Sequence, residues 1–311
     1  MTSPALELRG VGKDYGSRTA VGAIDLKVNR GECVGLLGPN GAGKTTTISM
    51  ACGILTPTRG TIAIGGVELA RRPLVAKAKL GLVPQELALY DELPALDNLR
   101  YFGGLYGLTG SKLAERVAWT LALVGLRERA REPVRRFSGG MKRRLNLAAG
   151  LLHSPEVLIL DEPTVGVDPQ SRHRIFDTVR QLRAEGMSIV YSTHYLDEVE
   201  RLCDRVAIVD RGAIIATGSV AELIARHAVD GASIALAGPS AAIEAAAAAV
   251  AATSELVRNG DTLRLRRSAS LAPVITAIES AGATVARIDA RGGSLEAAFL
   301  ALTGRALRDE P

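Results

Sequence analysis

The sequence predicts an α/β domain, with a mixed sheet core and a helical insert, followed by a smaller α+β unit. Three observations carry this. The short, mostly apolar run Glu32-Cys33-Val34-Gly35-Leu36-Leu37 enters a glycine-rich loop that opens a helix. The run Val157-Leu158-Ile159-Leu160 ends in two adjacent carboxylates, Asp161 and Glu162. From about Val229 the composition turns to alanine, and strand and helix signals follow in the order βαββαβ. Continuous apolar runs mark strands buried on both faces, as a parallel sheet under helices requires.

At 311 residues and 47% hydrophobic content, the chain can bury one large core or two ordinary ones. Aromatics are only 4%, too few for the stacking surfaces of single-stranded nucleic acid, so no nucleic-acid partner is expected. The net charge of +5 is mild and its basic residues are dispersed. Cys33, Cys52 and Cys203 are odd in number and lack C-x-x-C spacing. No disulfide or zinc site is expected, and a reducing compartment is the natural one. The first residues show no basic-then-apolar signal, and no apolar run reaches membrane-spanning length.

In chain order, Ala5–Val11 and Ile24–Val28 alternate apolar and polar and read as strands, with Lys13-Asp14-Tyr15-Gly16 between them. The strand at Glu32–Leu37 leads to Gly38-Pro39-Asn40-Gly41-Ala42-Gly43-Lys44-Thr45-Thr46. This fits the phosphate-loop pattern G-x-x-x-x-G-K-[ST] at every fixed position. Glycines let backbone N–H groups converge on a phosphate with no Cβ in the way, and the following helix dipole adds positive potential. Lys44 is placed to reach β- and γ-phosphates, and the Thr45 hydroxyl to ligate Mg²⁺. The bland alternative is a turn with a solvated lysine; the strand–loop–helix setting weighs against it.

Strands follow at Thr61–Ile64 and Leu80–Pro84, with Gln85 at the end of the second. From about 88 to 152 the strands stop and Leu96, Leu99, Phe102 and Leu105, then Leu113, Val117 and Leu121, recur at helical spacing. Ser138-Gly139-Gly140 then opens a helix, either as a second anion-ready helix end or as an ordinary cap. Lys142, Arg143 and Arg144 read as a solvated face. A buried strand seldom ends in two carboxylates without a cation or proton to handle. Asp161 suits Mg²⁺, and Glu162 suits a general base that orients water, worth roughly 10²–10⁴-fold in rate.

Asp168 precedes an amphipathic helix through Ile175, Phe176, Val179 and Leu182. The strand Ser188–Thr193 ends at His194. Alone such a histidine is structural; beside a triphosphate it can donate to the γ-phosphate. Val206–Gly218 reads as a closing hairpin. The tail reads as strand Ser233–Ala237, helix Ala241–Ala252, a hairpin turning at Asn259-Gly260, helix Ser270–Ala281, strand Thr284–Ile288 and a last helix Leu295–Thr303. That order is ferredoxin-like and carries no catalytic constellation.

Taken together, these residues resemble the ATP-binding-cassette (ABC) ATPases, a family of P-loop NTPases, over residues 1–228. The resemblance implies ATP and Mg²⁺ as cofactors and a role for each motif. Tyr15 looks like the adenine-stacking aromatic, and Gly38–Thr46 like the Walker A loop. Gln85 looks like the Q-loop glutamine at the metal and the catalytic site. Ser138-Gly139-Gly140 looks like the signature motif, which departs from the commonest form with Phe137 for leucine and Met141 for glutamine. Leu158–Glu162 looks like Walker B, with Asp161 serving the metal. Asp168 looks like the D-loop aspartate and His194 like the switch histidine.

A finer resemblance, to the exporter branch with daunorubicin-resistance-type members, rests on Gln85–Tyr90, Phe137–Arg144, Gly166–Arg172 and the tail Leu295–Gly304. It implies an ATPase domain over 1–228, with a helical subdomain near 88–152, and an accessory domain over 229–311. It also implies a separate transmembrane permease subunit, a homodimer in which each signature closes over the other phosphate loop, and a place at the cytoplasmic face of the membrane. The alternative is a non-transport cassette ATPase acting on ribosomes or nucleic acid. Such proteins usually carry two cassettes or long coiled coils, and neither is visible here. An importer subunit is disfavoured by the tail.

Overall fold

The computed structural model describes residues 3–227, 231–251, 255–266, 271–291 and 294–304. The chain folds as two compact units that divide after Ser219.

The first unit begins with β1 (Leu6–Tyr15), β2 (Arg18–Val28), β3 (Cys33–Leu37), α1 (Lys44–Ala51), β4 (Arg59–Ile64) and β5 (Val67–Glu68). It continues with α2 (Pro73–Lys77), β6 (Leu80–Val83), α3 (Ala95–Leu105), α4 (Gly110–Leu123) and α5 (Gly139–Gly150). It closes with β7 (Val157–Asp161), α6 (Pro169–Ala184), β8 (Ser188–Thr193), α7 (Leu196–Leu202), β9 (Arg205–Asp210) and β10 (Ala213–Gly218). An antiparallel sheet has the order β2-β1-β4-β5, and a six-stranded sheet the order β10-β9-β3-β8-β7-β6. The second is parallel except for the β9–β10 hairpin.

The six-stranded sheet is buried on both faces, which is why its strands are apolar throughout. Along β7, Val157 and Ile159 join the core shared with the antiparallel sheet, while Leu158 and Leu160 join the core under the helices. Each such side chain contributes about 1.5–3 kcal/mol on burial. Charge is therefore tolerated only where a strand ends. The parallel register aligns those ends: Leu37 pairs with Thr193, and Asp161 with Ser192. The loops that follow β3, β7 and β8 consequently emerge side by side, at the carboxyl edge where open α/β sheets bind ligands.

One strand differs from the alternation pattern. β1 continues through Lys13-Asp14-Tyr15, and Tyr15 pairs with Arg18. Register shifts between Leu8 and Lys13 break the period of two and hide the continuation from the sequence.

The second unit holds α8 (Val220–His227), β11 (Gly231–Ala237), α9 (Ser240–Ala251), β12 (Glu255–Asn259), β13 (Thr262–Arg266), α10 (Ala272–Ser280), β14 (Thr284–Arg291) and α11 (Leu295–Thr303). Its sheet has the order β12-β13-β11-β14, antiparallel throughout. Each βαβ pair has one strand between its members, the split arrangement of the ferredoxin-like fold. Ile234, Leu236, Leu263 and Leu265 meet Ile243 and Val250 of α9 and Val274 and Ile278 of α10. The expected boundary at 228/229 is displaced: α8 packs with α11 and belongs to this second unit. The composition changes only after α8, so composition could not mark the division.

Candidate active site

The loop after β3 is shaped by its glycines. Gly41 and Gly43 have φ of 76° and 101°, in the left-handed region that favours glycine. A Cβ on Gly38 would lie 2.3 Å from the Val209 carbonyl oxygen, so only glycine fits against β9. The loop ends as the N-terminus of α1, which no side chain caps among the described residues. The first-turn N–H groups of α1 therefore keep their hydrogen-bonding capacity for an anion.

Lys44 is buried at 4% exposure. Its Nζ donates to the carbonyls of Gly38 at 2.7 Å and Pro39 at 3.2 Å and lies 3.1 Å from Glu162 Oε1. On the other side, Glu162 Oε2 lies 3.4 Å from His194 Nδ1. The lysine of one loop, the carboxylate of a second and the imidazole of a third thus form one row. Burial pushes the Glu162 carboxyl up, but His194 and Lys44 together pull harder and hold it below the usual carboxylate range. Glu162 also has φ of 46°, an uncommon backbone state for a non-glycine residue, and its N–H donates to the Ser192 carbonyl at 3.1 Å.

Asp161 behaves in the opposite sense. Burial raises its pKa, and the hydroxyls of Ser192 and Thr45 draw it only part of the way back. Its Oδ1 is buried and makes no hydrogen bond among the described residues. A buried carboxylate oxygen with nothing to bind, near the Thr45 hydroxyl, fits a hard cation such as Mg²⁺, whose ligands are oxygens. Gln85 and Thr45 line one cavity, and Asp161 lies behind it.

An open cavity of about 810 Å³ contains Asn40–Thr46, Gln85, Glu162 and His194 together. Arg18, Lys44 and Arg211 also face it, against Glu162 as the single lining carboxylate among the described residues. A polyphosphate suits that balance. The sequence reading missed Arg18 and Arg211, because each sits in a hairpin that brings it to the cavity only through tertiary pairing.

Other expected residues lie elsewhere in the unit. Tyr15 is 53% exposed, with the Lys13 ammonium 5.3 Å from its ring centroid, and the cavity wall nearby is Arg18, Thr19 and Ala20. Ser138 caps α5, its Oγ accepting from Met141 N at 3.3 Å. Asp168 caps α6 by accepting from Ser171 N at 2.9 Å. A Cβ on Gly140 would fall 2.1 Å from Ser171 Oγ, so the two helix starts are pressed together. None of Ser138, Gly139, Gly140 or Asp168 lines the phosphate-loop cavity.

The reading of Lys142, Arg143 and Arg144 as a solvated face is corrected. Arg144 is 8% exposed and its Nη1 donates to the Val124 carbonyl at 2.6 Å. Arg143 donates to the Gln85 carbonyl, and Lys142 pairs with Asp91 at 2.8 Å.

A glycine-rich loop between β3 and α1 thus faces a carboxylate just past β7 and a histidine just past β8 across one cavity. A family model described as "ABC transporter" matches residues 21–165. The chain is 43% identical over 310 residues to the linearmycin resistance ATP-binding protein LnrL of Bacillus subtilis, covering 98% of this chain and 100% of that one. It is 38% identical to the daunorubicin resistance ATP-binding protein DrrA3 of Streptomyces coeruleorubidus over 311 residues, 98% and 97% of the two chains. A solved ATP binding subunit of an ABC transporter superposes with a TM-score of 0.66 at 32% identity, covering 71% of this chain and 92% of that one. The chain belongs to the ATP-binding proteins of the ABC transporter family, and it is an ATPase. No helix among the described residues is long and apolar enough to cross a membrane.

Proposed function

We propose that this chain is the ATP-hydrolysing subunit of an exporter, driving efflux of a drug-like, lipid or polysaccharide cargo through a separate transmembrane subunit. The observation that carries the reading is the row Lys44–Glu162–His194 in one cavity. The end-to-end match to two resistance ATP-binding proteins supports the exporter assignment.

In this reading the loop Gly38–Thr46 binds the phosphates of ATP, and Lys44 exchanges its carbonyl partners for phosphate oxygens. Glu162 stays ionised and accepts the proton of the attacking water. His194 holds the γ-phosphate from the far side. Thr45, Asp161 and Gln85 would hold Mg²⁺, which would supply charge neutralisation at the phosphate oxygens. Tyr15 stacks on the base.

The signature stretch Ser138-Gly139-Gly140, with Asp168 beside it, needs a nucleotide that its own phosphate loop does not supply. A second copy of the chain, arranged head to tail, supplies it, so ATP binding closes a homodimer and hydrolysis releases it. Gln85 carries the change outward: Arg143 of α5 grips its carbonyl, and the exposed rings of Tyr90 and Tyr101 offer an apolar surface nearby to a membrane partner. The protein then sits at the cytoplasmic face of the membrane, with residues 220–304 as an accessory unit. A pull-down of the tagged chain from solubilised membranes tests this. Recovery of a partner with several apolar spans, and ATPase activity in the complex, is expected; recovery of ribosomes or DNA with no membrane protein overturns the reading.

A further inference from the structure

Glu198, on α7, is fully buried at 0% exposure, and nothing assigned above uses it. A carboxylate so placed requires partners for both oxygens. It has four. Oε1 accepts from Thr164 Oγ1 at 2.5 Å and from Arg172 Nε at 2.9 Å. Oε2 accepts from Thr193 Oγ1 at 2.6 Å and from Tyr191 OH at 3.1 Å.

The division between the two oxygens follows the site. Thr164 is two residues beyond Glu162, on the same loop, and the Val165 N–H closes that loop on the Glu162 carbonyl at 3.3 Å. Thr193 immediately precedes His194, and its Oγ1 also accepts from the Tyr195 N–H at 3.0 Å. Arg172 extends the net to α6, the helix capped by Asp168, and also grips Asp197 at 3.0 Å. One oxygen therefore holds the Glu162 loop and α6; the other holds the His194 loop.

We propose that Glu198 is a positioning residue for ATP hydrolysis, a rigid two-pronged tie that sets the distance between the base loop and the histidine loop. The inference rests on the reading of Glu162 and His194 as base and γ-phosphate contact. Four donors converge on one carboxylate, and the charge is what satisfies them all. A glutamine at this position turns one prong into a donor facing the Thr164 and Arg172 donors or the Thr193 and Tyr191 donors. The two loops then relax relative to each other without touching the nucleotide-binding glycines.

Misplacement of catalytic groups by about 1 Å can cost up to 10²-fold. In the full-length chain, Glu198→Gln is expected to lower kcat by about 10- to 100-fold with KM for ATP within about twofold of wild type. Glu198→Asp, which keeps the charge, is expected to recover part of the loss. A folded Glu198→Gln with wild-type kcat, or one whose KM rises at constant kcat, overturns the proposal. So does a drop in kcat that merely follows the folded fraction measured by thermal unfolding. If Glu198→Gln does not fold, Thr164→Val and Thr193→Val each cut one prong at a more tolerant position. Both are expected to reduce kcat at constant KM, and wild-type kcat in both overturns the tie. Glu162→Gln run alongside separates the failures: wild-type turnover there overturns the reading of the site, whereas silence there with wild-type turnover in Glu198→Gln overturns the tie alone.

Discussion

Replacing Glu162 with glutamine removes a proton acceptor while keeping volume and most of the backbone environment. Glu162 Oε1 lies 3.1 Å from Lys44 Nζ and Oε2 3.4 Å from His194 Nδ1, so the variant removes the carboxylate charge that faces both side chains. A positioned general base contributes about 10²–10⁴-fold, which converts to about 3–5 kcal/mol of barrier. Turnover should fall by that factor. Binding should persist, because Lys44 and the glycine backbone that receive the phosphates are left in place. The lost charged hydrogen bond costs about 1.5–3 kcal/mol of stability. For a unit of this size that amounts to a thermal midpoint lower by about 3–12 °C. The pKa of Glu162 is held below its ordinary value, so its stabilisation is complete above pH 4.5 and fades as pH falls through the lower folded value. The thermal deficit of the variant should therefore be present at pH 7 and shrink in acid. Phosphate release, nucleotide binding and thermal scans read the three quantities. Turnover within about twofold of wild type, in a folded protein that binds ATP, refutes the base assignment.

Lys44→Ala should abolish measurable ATP binding, read by a fluorescent nucleotide, since it removes the buried cation of the loop. Asp161→Asn should do two opposite things. It should eliminate Mg²⁺-dependent turnover, and it should raise the thermal midpoint at pH 7 in chelator. Burial lifts the Asp161 pKa above 3.8, so the ionised form costs stability at neutral pH. That gain should shrink as pH falls through the raised folded value and vanish below 3.8, where the carboxyl is protonated in both states. Gly38→Ala should cost about 1–3 kcal/mol by overpacking against the Val209 carbonyl, with a matching drop in midpoint and weakened ATP binding.

Many of the residues that line the cavity stood out in the chain. The phosphate loop announces itself because its function needs glycine at positions of unusual φ or close approach, and lysine and threonine at fixed offsets. Asp161 and Glu162 announce themselves because a buried strand seldom ends in two adjacent carboxylates without a cation or proton to handle. The helical insert and the ferredoxin-like tail were readable from period and order. What was misread has specific causes. Tyr15 was placed outside the first strand because bulges break the alternation that identifies strands. Arg143 and Arg144 were read as solvated because a run of cations looks alike whether water or carbonyl oxygens surround it; here the carbonyls of Gln85 and Val124 do. Cys33 and Cys203 have sulfurs 3.8 Å apart, a proximity no spacing rule reveals.

The sequence by itself determined the local pattern: which loop carries the glycines, lysine and threonine of a phosphate loop, which strand ends in carboxylates, which histidine stands at a strand end. Those features depend on backbone conformation and residue type within a few positions, so they can be read along the chain. Only the tertiary structure decided that Lys44, Glu162 and His194 form one row, that Arg18 and Arg211 face it, and that Glu198 ties two of its loops together. The cause is the parallel register of β3, β8 and β7, which brings distant strand ends to one edge. The same sheet leaves Ser138, Gly139 and Gly140 off the phosphate-loop cavity.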